Sequence, residues 1–231
     1  IIYFLINAFL FSLDNFNNAF MKELPYKVAF RTIKIAALVT IIDVVISFIV
    51  SFFITFVVKE KYQKYLIASI VLPLWASYIV KQYAWRQILD GTSGYLKTLT
   101  GQSPGYGYVA IVIVMAYLWL PFVLIPIYSG MSKVPKNLLE ASGDLGAKNF
   151  RTTLKIITPL IKPSIVAGSI FSFGLTLGDY FASTLVGGSK VQVLGQLIQT
   201  TFASGQETYA AALTFFPIII MFAYLAIAKR S

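Results

Sequence analysis

Asp43, Lys81 and Asp179 stand within or near the ends of otherwise apolar stretches. An ionised side chain at the centre of a bilayer costs about 2.5–3.5 kcal/mol on insertion scales, so each needs a partner or water. Mutual neutralisation, with Lys81 set against either carboxylate, is the simplest arrangement. Asp179 allows another, because it follows Gly174 and Gly178, whose missing side chains let a helix or a ligand approach, and because Tyr180 and Phe181 stand beside it. A carboxylate bordered by aromatic faces suits an organic cation: the carboxylate takes the charge, and each ring face adds about 0.5–2 kcal/mol of cation–π attraction. Asp43, Tyr83, Trp85, Asp179 and Tyr180 are the candidates for a solute pathway of this kind. Tyr and Trp also collect at headgroup depth in any membrane protein, and for Trp85, next to Arg86 at a span end, that belt is the stronger explanation.

Other chemistry is excluded by what the chain lacks. It has no Cys and no His, which removes disulfides, Cys/His zinc sites and any nucleophile–His couple. No G-x-x-x-x-G-K-[ST] loop occurs, and not even a Gly-Lys dipeptide, so the chain is expected to bind no nucleotide and to be no enzyme. An intramembrane enzyme would have to rest on Asp43 and Asp179 alone.

The elements that carry these residues are membrane helices. Of 231 residues, 58% are hydrophobic and 12% charged, with mean hydropathy +0.76, far more apolar surface than one soluble core hides. Apolar blocks reaching the ~20 residues that cross a bilayer lie at Ile33–Val58, Leu66–Trp85, Tyr108–Ser129, Ile161–Val186 and Tyr209–Ala228. Residues 1–13 are apolar but too short, and are read as the end of a truncated first helix. Asp14–Lys27 reads as an extramembrane connector, since its asparagines and Pro25 oppose a continuous helix. Pro73, Pro121, Pro126 and Pro217 are expected to kink the spans that contain them. The expectation is one all-α transmembrane domain over residues 1–231, with five full spans and a remnant.

The formal charge of +10 resides in the connectors and not along one basic face, which argues for topology rather than nucleic acid. Lys59–Tyr65, the segment around Lys133–Lys162 and the Lys229-Arg230 tail are the basic ones and are placed in the cytoplasm. Alternation puts Asp14–Thr32, Arg86–Gly107 and Gly187–Thr208 outside. The loop from Gly91 to Gly107 is rich in turn formers and is expected to be irregular, a connector more than a docking surface.

Residues 131–160 are too long for a tight helix turn and too apolar for a disordered loop. After Pro135 a short helix is predicted over 136–145, broken by Gly143 and Gly146. A second amphipathic stretch, with Phe150, Leu154 and Ile157 on one face, runs to Pro159. The order is Glu140-Ala141-Ser142, three residues, Gly146, nine residues, Ile156, one residue, Thr158-Pro159. It resembles the EAA loop of ABC importer permeases, with Ser142 for the second Ala and Thr158 for the usual Leu. The resemblance implies a type I importer permease. In that family Glu140, Ala141, Ser142, Gly146, Ile156 and Pro159 would belong to a coupling helix seated in a cytoplasmic ATPase. The alternative from the residues alone is an interfacial helix resting on lipid headgroups.

Further stretches, Leu72-Pro73-Leu74-Trp75, Val80 to Trp85, Leu177-Gly178-Asp179-Tyr180 with Leu185 to Gly188, and Gly195 to Gln199, are similar to the B-type permease subunit of spermidine/putrescine importers. This likeness implies two ATPase subunits carrying ATP-Mg, a second homologous permease, an external substrate-binding protein, and a polyamine as solute. Permeases for thiamine, iron and other solutes share much of this scaffold. A secondary transporter or channel is the rival of another class, but it calls for ion-coupling residues or two similar halves, and neither is evident.

Overall fold

The computed structural model describes residues 20–144, 149–188 and 191–230, and every regular element among them is helical. In chain order these are α1 (Glu23–Phe56), α2 (Glu60–Val71) running into a 3-10 turn (Leu72–Trp75), α3 (Tyr78–Leu89), α4 (Tyr95–Thr100), α5 (Tyr108–Met131) and α6 (Lys136–Asp144). Then come α7 (Asn149–Thr152), a π turn (Thr153–Ile157), α8 (Thr158–Gly178), α9 (Phe181–Val186), α10 (Leu194–Ala203), α11 (Glu207–Leu213) and α12 (Phe215–Arg230). Residues 1–13 and Gly146 lie outside the described residues.

Among the described residues four stretches are long and apolar enough to cross a membrane: Glu23–Phe56, Tyr108–Met131, Thr153–Gly178 and Glu207–Lys229. The broken pair Glu60–Trp75 and Tyr78–Leu89 meets the same requirement only when its two helices are taken together, as a broken span or a re-entrant loop. Within its most apolar window α5 is 56% buried, against 28–33% for the other three, which makes it the most enclosed span. Its Pro121 and Pro126 lie inside one continuous helix.

Several boundaries differ from those predicted. The connector expected over Asp14–Lys27 gives way to helix from Glu23. Pro25 falls in the first turn, where a backbone N–H has no intrahelical acceptor to lose, and Lys27 pairs with Glu23 one turn away. At 34 residues α1 is about 50 Å long, more than a bilayer core requires.

The span expected over Leu66–Trp85 is interrupted. Pro73 sits at the start of the 3-10 turn, Ala76 is extended (φ −72°, ψ 141°), and a new helix starts at Tyr78. The span expected over Ile161–Val186 begins earlier and ends earlier. Pro159 does not end the amphipathic stretch: a π turn precedes it, in which the Thr158 N–H reaches the Thr153 carbonyl and the Thr158 hydroxyl reaches the same oxygen at 2.9 Å, so the chain runs on into α8. At the other end the helix stops at Gly178, and α9 starts two residues later.

Gly187–Thr208, placed outside by alternation, contains α10, whose Leu194 and Leu197 are buried. Thr214 marks a loosened junction between α11 and α12, its hydroxyl and N–H both directed to the Ala211 carbonyl, at 2.6 and 3.1 Å. Pro217, which has no N–H to give Leu213, explains it.

The chain forms two compact units. The first comprises Ile1–Val39, Tyr78–Met115 and Phe173–Ser231. Its core joins Val28 and Ala29 of α1 to Leu194 and Leu197 of α10 and to Ala212, Leu213 and Phe216. Thr32 fixes the register of α10 by accepting the Leu194 N–H at 2.9 Å. The second comprises Thr40–Ser77 and Ala116–Ser172. Val123, Ile127 and Met131 of α5 pack there with Val134, Ile157 and Ile161, flanked by Phe48, Phe52 and Phe56. Gly168 lets the backbone of α8 approach α5, since a Cβ would stand 3.0–3.3 Å from Val123 atoms.

Candidate solute pathway and coupling segment

In the first unit the carboxylate singled out by sequence lies at a helix break. Asp179 is buried; its Oδ1 accepts the Ala182 N–H at 2.9 Å in the first turn of α9, satisfying one of the free donors there. The Tyr78 hydroxyl, at the start of α3, donates to Oδ2. One turn along α3, the Gln82 Nε2–H donates to the Tyr78 oxygen at 2.9 Å. Gln82 is fully buried, and its Oε1 has no partner among the described residues. From the other side α10 closes in at Gly195, where a Cβ would lie 2.7 Å from the Asp179 carbonyl oxygen.

Rings gather around Phe181, two residues after Asp179. Phe181 lies 6.2 Å from Tyr78, 6.3 Å from Tyr83 and 5.9 Å from Tyr180, centroid to centroid. Tyr83 and Tyr180 remain 51% and 43% exposed. Beside Tyr180 a cavity of about 350 Å³ is lined by Leu177, Gly178, Gly195, Ile198, Gln199, Phe202 and Pro217, almost wholly apolar. Through the Phe181 ring the structure links Tyr83 and Tyr180 to the segment that carries Asp179. Trp85 sits farther along α3, partly buried.

Tyr78 and Gln82 were missed by sequence reasoning. Their i, i+4 spacing is a helical pairing that shows once α3 is seen to start at Tyr78.

Asp43 belongs to the second unit. It is fully buried, its Oδ2 accepts the Ser172 hydroxyl at 2.6 Å, and its Oδ1 has no partner among the described residues. The partner is thus a hydroxyl from α8, which sequence offered no means of choosing.

The candidate coupling segment also lies in the second unit. Helix α6 carries Glu140, Ala141 and Ser142, and Ser142 is buried with its hydroxyl 2.6 Å from that of Thr152, also buried. This bond braces α6 against the root of the next helix. Ile157 is fully buried in the core with Val134 and Met131, whereas Ile156 is only partly buried and Pro159 is exposed.

The family described as "Binding-protein-dependent transport system inner membrane component" matches residues 35–231. The chain belongs to this family. It is an ABC importer permease, a multi-pass membrane subunit that is not itself the catalytic component. It is 34% identical over 223 residues to the inner membrane ABC transporter permease protein YdcU of Escherichia coli, covering 89% of this chain and 71% of that protein. It is 30% identical over 203 residues to the spermidine/putrescine transport system permease protein PotB of Haemophilus influenzae, covering 84% and 70%. Among solved structures, the permease fold resembles a chain of a bacterial alginate ABC transporter in complex with its pentasaccharide-bound periplasmic protein, with TM-score 0.79 at 16% identity over 99% of this chain and 86% of that one. An inward-facing MetNI methionine ABC transporter chain gives TM-score 0.66 at 18% identity, covering 91% and 97%.

Proposed function

We propose that this permease carries polyamines of the spermidine/putrescine class and forms half of a pathway whose other half is a second, homologous permease. The observation that carries the solute reading is the buried Asp179 carboxylate bonded to Tyr78, with Phe181 close by in sequence packed against Tyr78, Tyr83 and Tyr180, and an apolar cavity lined by its neighbours Gly178 and Tyr180. A polyamine has ammonium groups separated by methylenes. The carboxylate matches an ammonium, the exposed ring faces add cation–π attraction, and the apolar cavity receives the methylenes. The names of the PotB relatives point the same way.

The energy comes from outside the chain. In this reading two cytoplasmic ATPase subunits bind and hydrolyse ATP-Mg, an external binding protein delivers the solute, and α6 with the following turn couples nucleotide turnover to helix movement. The basic residues Lys133, Lys155 and Lys162 support a cytoplasmic position for residues 131–160, and Lys229-Arg230 the same for the C-terminus. The alternating-access mechanism needs weak solute contacts here, because a pathway that held its cargo tightly in every state would not release it.

The test is uptake of labelled putrescine and spermidine by proteoliposomes containing the complete transporter, its binding protein and ATP. Saturable, ATP-dependent uptake that excess thiamine and ferric iron leave unchanged is expected. Uptake of thiamine or iron with none of either polyamine would overturn the solute reading. ATP-independent transport by the chain alone would overturn the coupling reading.

A further inference from the structure

We propose that α4, with the loop that carries it, is the surface on which the external binding protein docks, and that Tyr95 and Leu99 are its two anchors. This rests on the reading of residues 86–107 as external and of the permease as one served by a binding protein, and it adds where on this chain that protein sits.

The sequence predicts an irregular connector over Gly91–Gly107, whereas the structure shows a braced one. Thr92, Ser93 and Tyr106 all donate to the Asp90 carboxylate just after α3. Gly94 lies so close over that turn that a Cβ there would run into the Asp90 carbonyl oxygen. Helix α4 starts at Tyr95 and is closed by Gly101, whose left-handed backbone (φ 76°) brings its N–H to the Lys97 carbonyl at 2.8 Å. The Lys97 ammonium turns back to the Gly91 carbonyl at 2.7 Å, and the Ser103 hydroxyl donates to the Leu89 carbonyl, also at 2.7 Å.

All this bracing leaves Tyr95 and Leu99 in the open. Four residues apart, and so on one face of α4, they are 63% and 83% exposed. Ordering a loop costs conformational entropy, and none of the six residues of α4 is buried to offset it. An aromatic and an aliphatic side chain held out on a stiff base suit a protein partner, because the ordering precedes the encounter and does not weaken it. A lipid surface suits α4 less. A helix that rests on headgroups sets a broad apolar face against a basic one, but α4 is six residues long and its lysine is engaged with Gly91.

The position of the loop favours the protein that delivers the solute. It begins at the end of α3, whose first residue, Tyr78, bonds to Asp179. At its far end the Gly107 N–H donates at 2.8 Å to the carbonyl of Val186, the last residue of α9. The loop is thus fastened to both helices that meet at the Asp179 carboxylate. A solute-bearing protein docked there is joined to the break at Asp179 through one short helix, α9, about 9 Å long.

The chain has no cysteine, so Leu99→Cys gives it a single thiol. The experiment uses the complete transporter in nanodiscs, which leave both membrane faces open, and the binding protein purified with its own solute bound. A water-soluble maleimide is expected to label the thiol at position 99, and saturating binding protein to slow that labelling about tenfold or more. Tyr95→Ala and Leu99→Ala should each raise the binding-protein concentration for half-maximal ATP hydrolysis about tenfold, with the rate at saturation unchanged. Phe222→Ala, which removes an exposed ring from the span α12, should change neither. Labelling that the binding protein leaves unslowed overturns the proposal, as does a wild-type half-maximal concentration in both alanine variants. A thiol that resists the maleimide without binding protein, together with quenching of Leu99→Trp fluorescence by brominated lipid, assigns α4 to the bilayer and overturns it too. Failure of the binding protein to stimulate the wild type overturns the delivery reading itself. The solute carried by the protein is identified separately, so a solute other than a polyamine overturns the polyamine reading and leaves the docking surface standing.

Discussion

The Tyr78 hydroxyl donates to the Asp179 carboxylate and so ties the first residue of α3 to the break between α8 and α9. Irregular backbone at membrane depth survives only where protein or water satisfies its polar groups. Here one side chain meets that demand by accepting the Ala182 N–H through one oxygen, while its other oxygen accepts the Tyr78 hydroxyl.

These two roles of Asp179 can be separated by substitution. Asn keeps an oxygen for the Ala182 N–H but removes the charge. Asp179→Asn is therefore expected to assemble at near wild-type yield while polyamine uptake falls about tenfold or more, the loss of one charge-assisted contact. Asp179→Ala should lose assembly as well, because the first turn of α9 then lacks its acceptor. Co-purification of the ATPase measures assembly, and initial uptake rates measure transport. Equal transport by the Asn variant would return Asp179 to a purely structural role.

Gly195 holds α10 against that same break. A Cβ there would stand 2.7 Å from the Asp179 carbonyl oxygen and 2.9 Å from its carbon, closer than real contacts allow, and both are backbone atoms that cannot swing away. Gly195→Ala should displace the break and lower transport severalfold, with a destabilisation of about 1–3 kcal/mol from overpacking. Thermal unfolding of the purified complex and uptake by the same preparation give the two numbers. A variant with wild-type melting and transport would show that the close approach is dispensable.

The linear motifs were the easiest part to read from sequence. The resemblance of Glu140 to Pro159 rests on residue types and spacing, and the apolar runs give α1, α5 and α12 by composition. Backbone breaks inside apolar runs were not readable in the same way, because hydropathy registers side chains and is blind to the chain direction: Leu72 to Trp85 is apolar on both sides of Ala76. Gly178-Asp179 did hold a stop-and-cap signal, but it lay within a run long enough to read as one span. Pro25 misled for the opposite reason, since a proline opposes a helix only beyond the first turn. The partner of Asp43 lies 129 residues away at Ser172, and no local rule reaches so far.

The bond between Ser142 and Thr152 is buried. Ser142→Ala removes it and is expected to cost about 0.5–1.5 kcal/mol, the net worth of one hydrogen bond. Ser142→Ala combined with Thr152→Val should cost less than the sum of the two single changes, because the shared bond can be lost only once. Unfolding of the assembled transporter, followed by scattering or intrinsic fluorescence, measures each variant. Strictly additive costs of the two single changes would show that the hydroxyl pair does not brace α6.

The loop after α3 gives a prediction in pH. Asp90 accepts from the Thr92 hydroxyl at 2.5 Å, from the N–H groups of Ser93 at 2.8 Å and Thr92 at 2.9 Å, and from the Tyr106 hydroxyl at 2.9 Å. These bonds, the Thr92 hydroxyl foremost, hold its carboxyl far below the usual carboxylate range. A carboxylate with a depressed folded pKa binds its proton more readily in the unfolded chain. Its contribution is thus complete above the unfolded value of about 4 and is lost only as pH falls through the folded one. Protection of residues 90–107 from protease and from hydrogen exchange should therefore stay constant from about pH 7 to about pH 5 in the wild type. Asp90→Ala should lose protection across that whole window, and Asp90→Asn, which keeps an acceptor without the charge, should fall between. Loss of wild-type protection above about pH 5 would mean that some other group, and not Asp90, sets the acid limit of this loop.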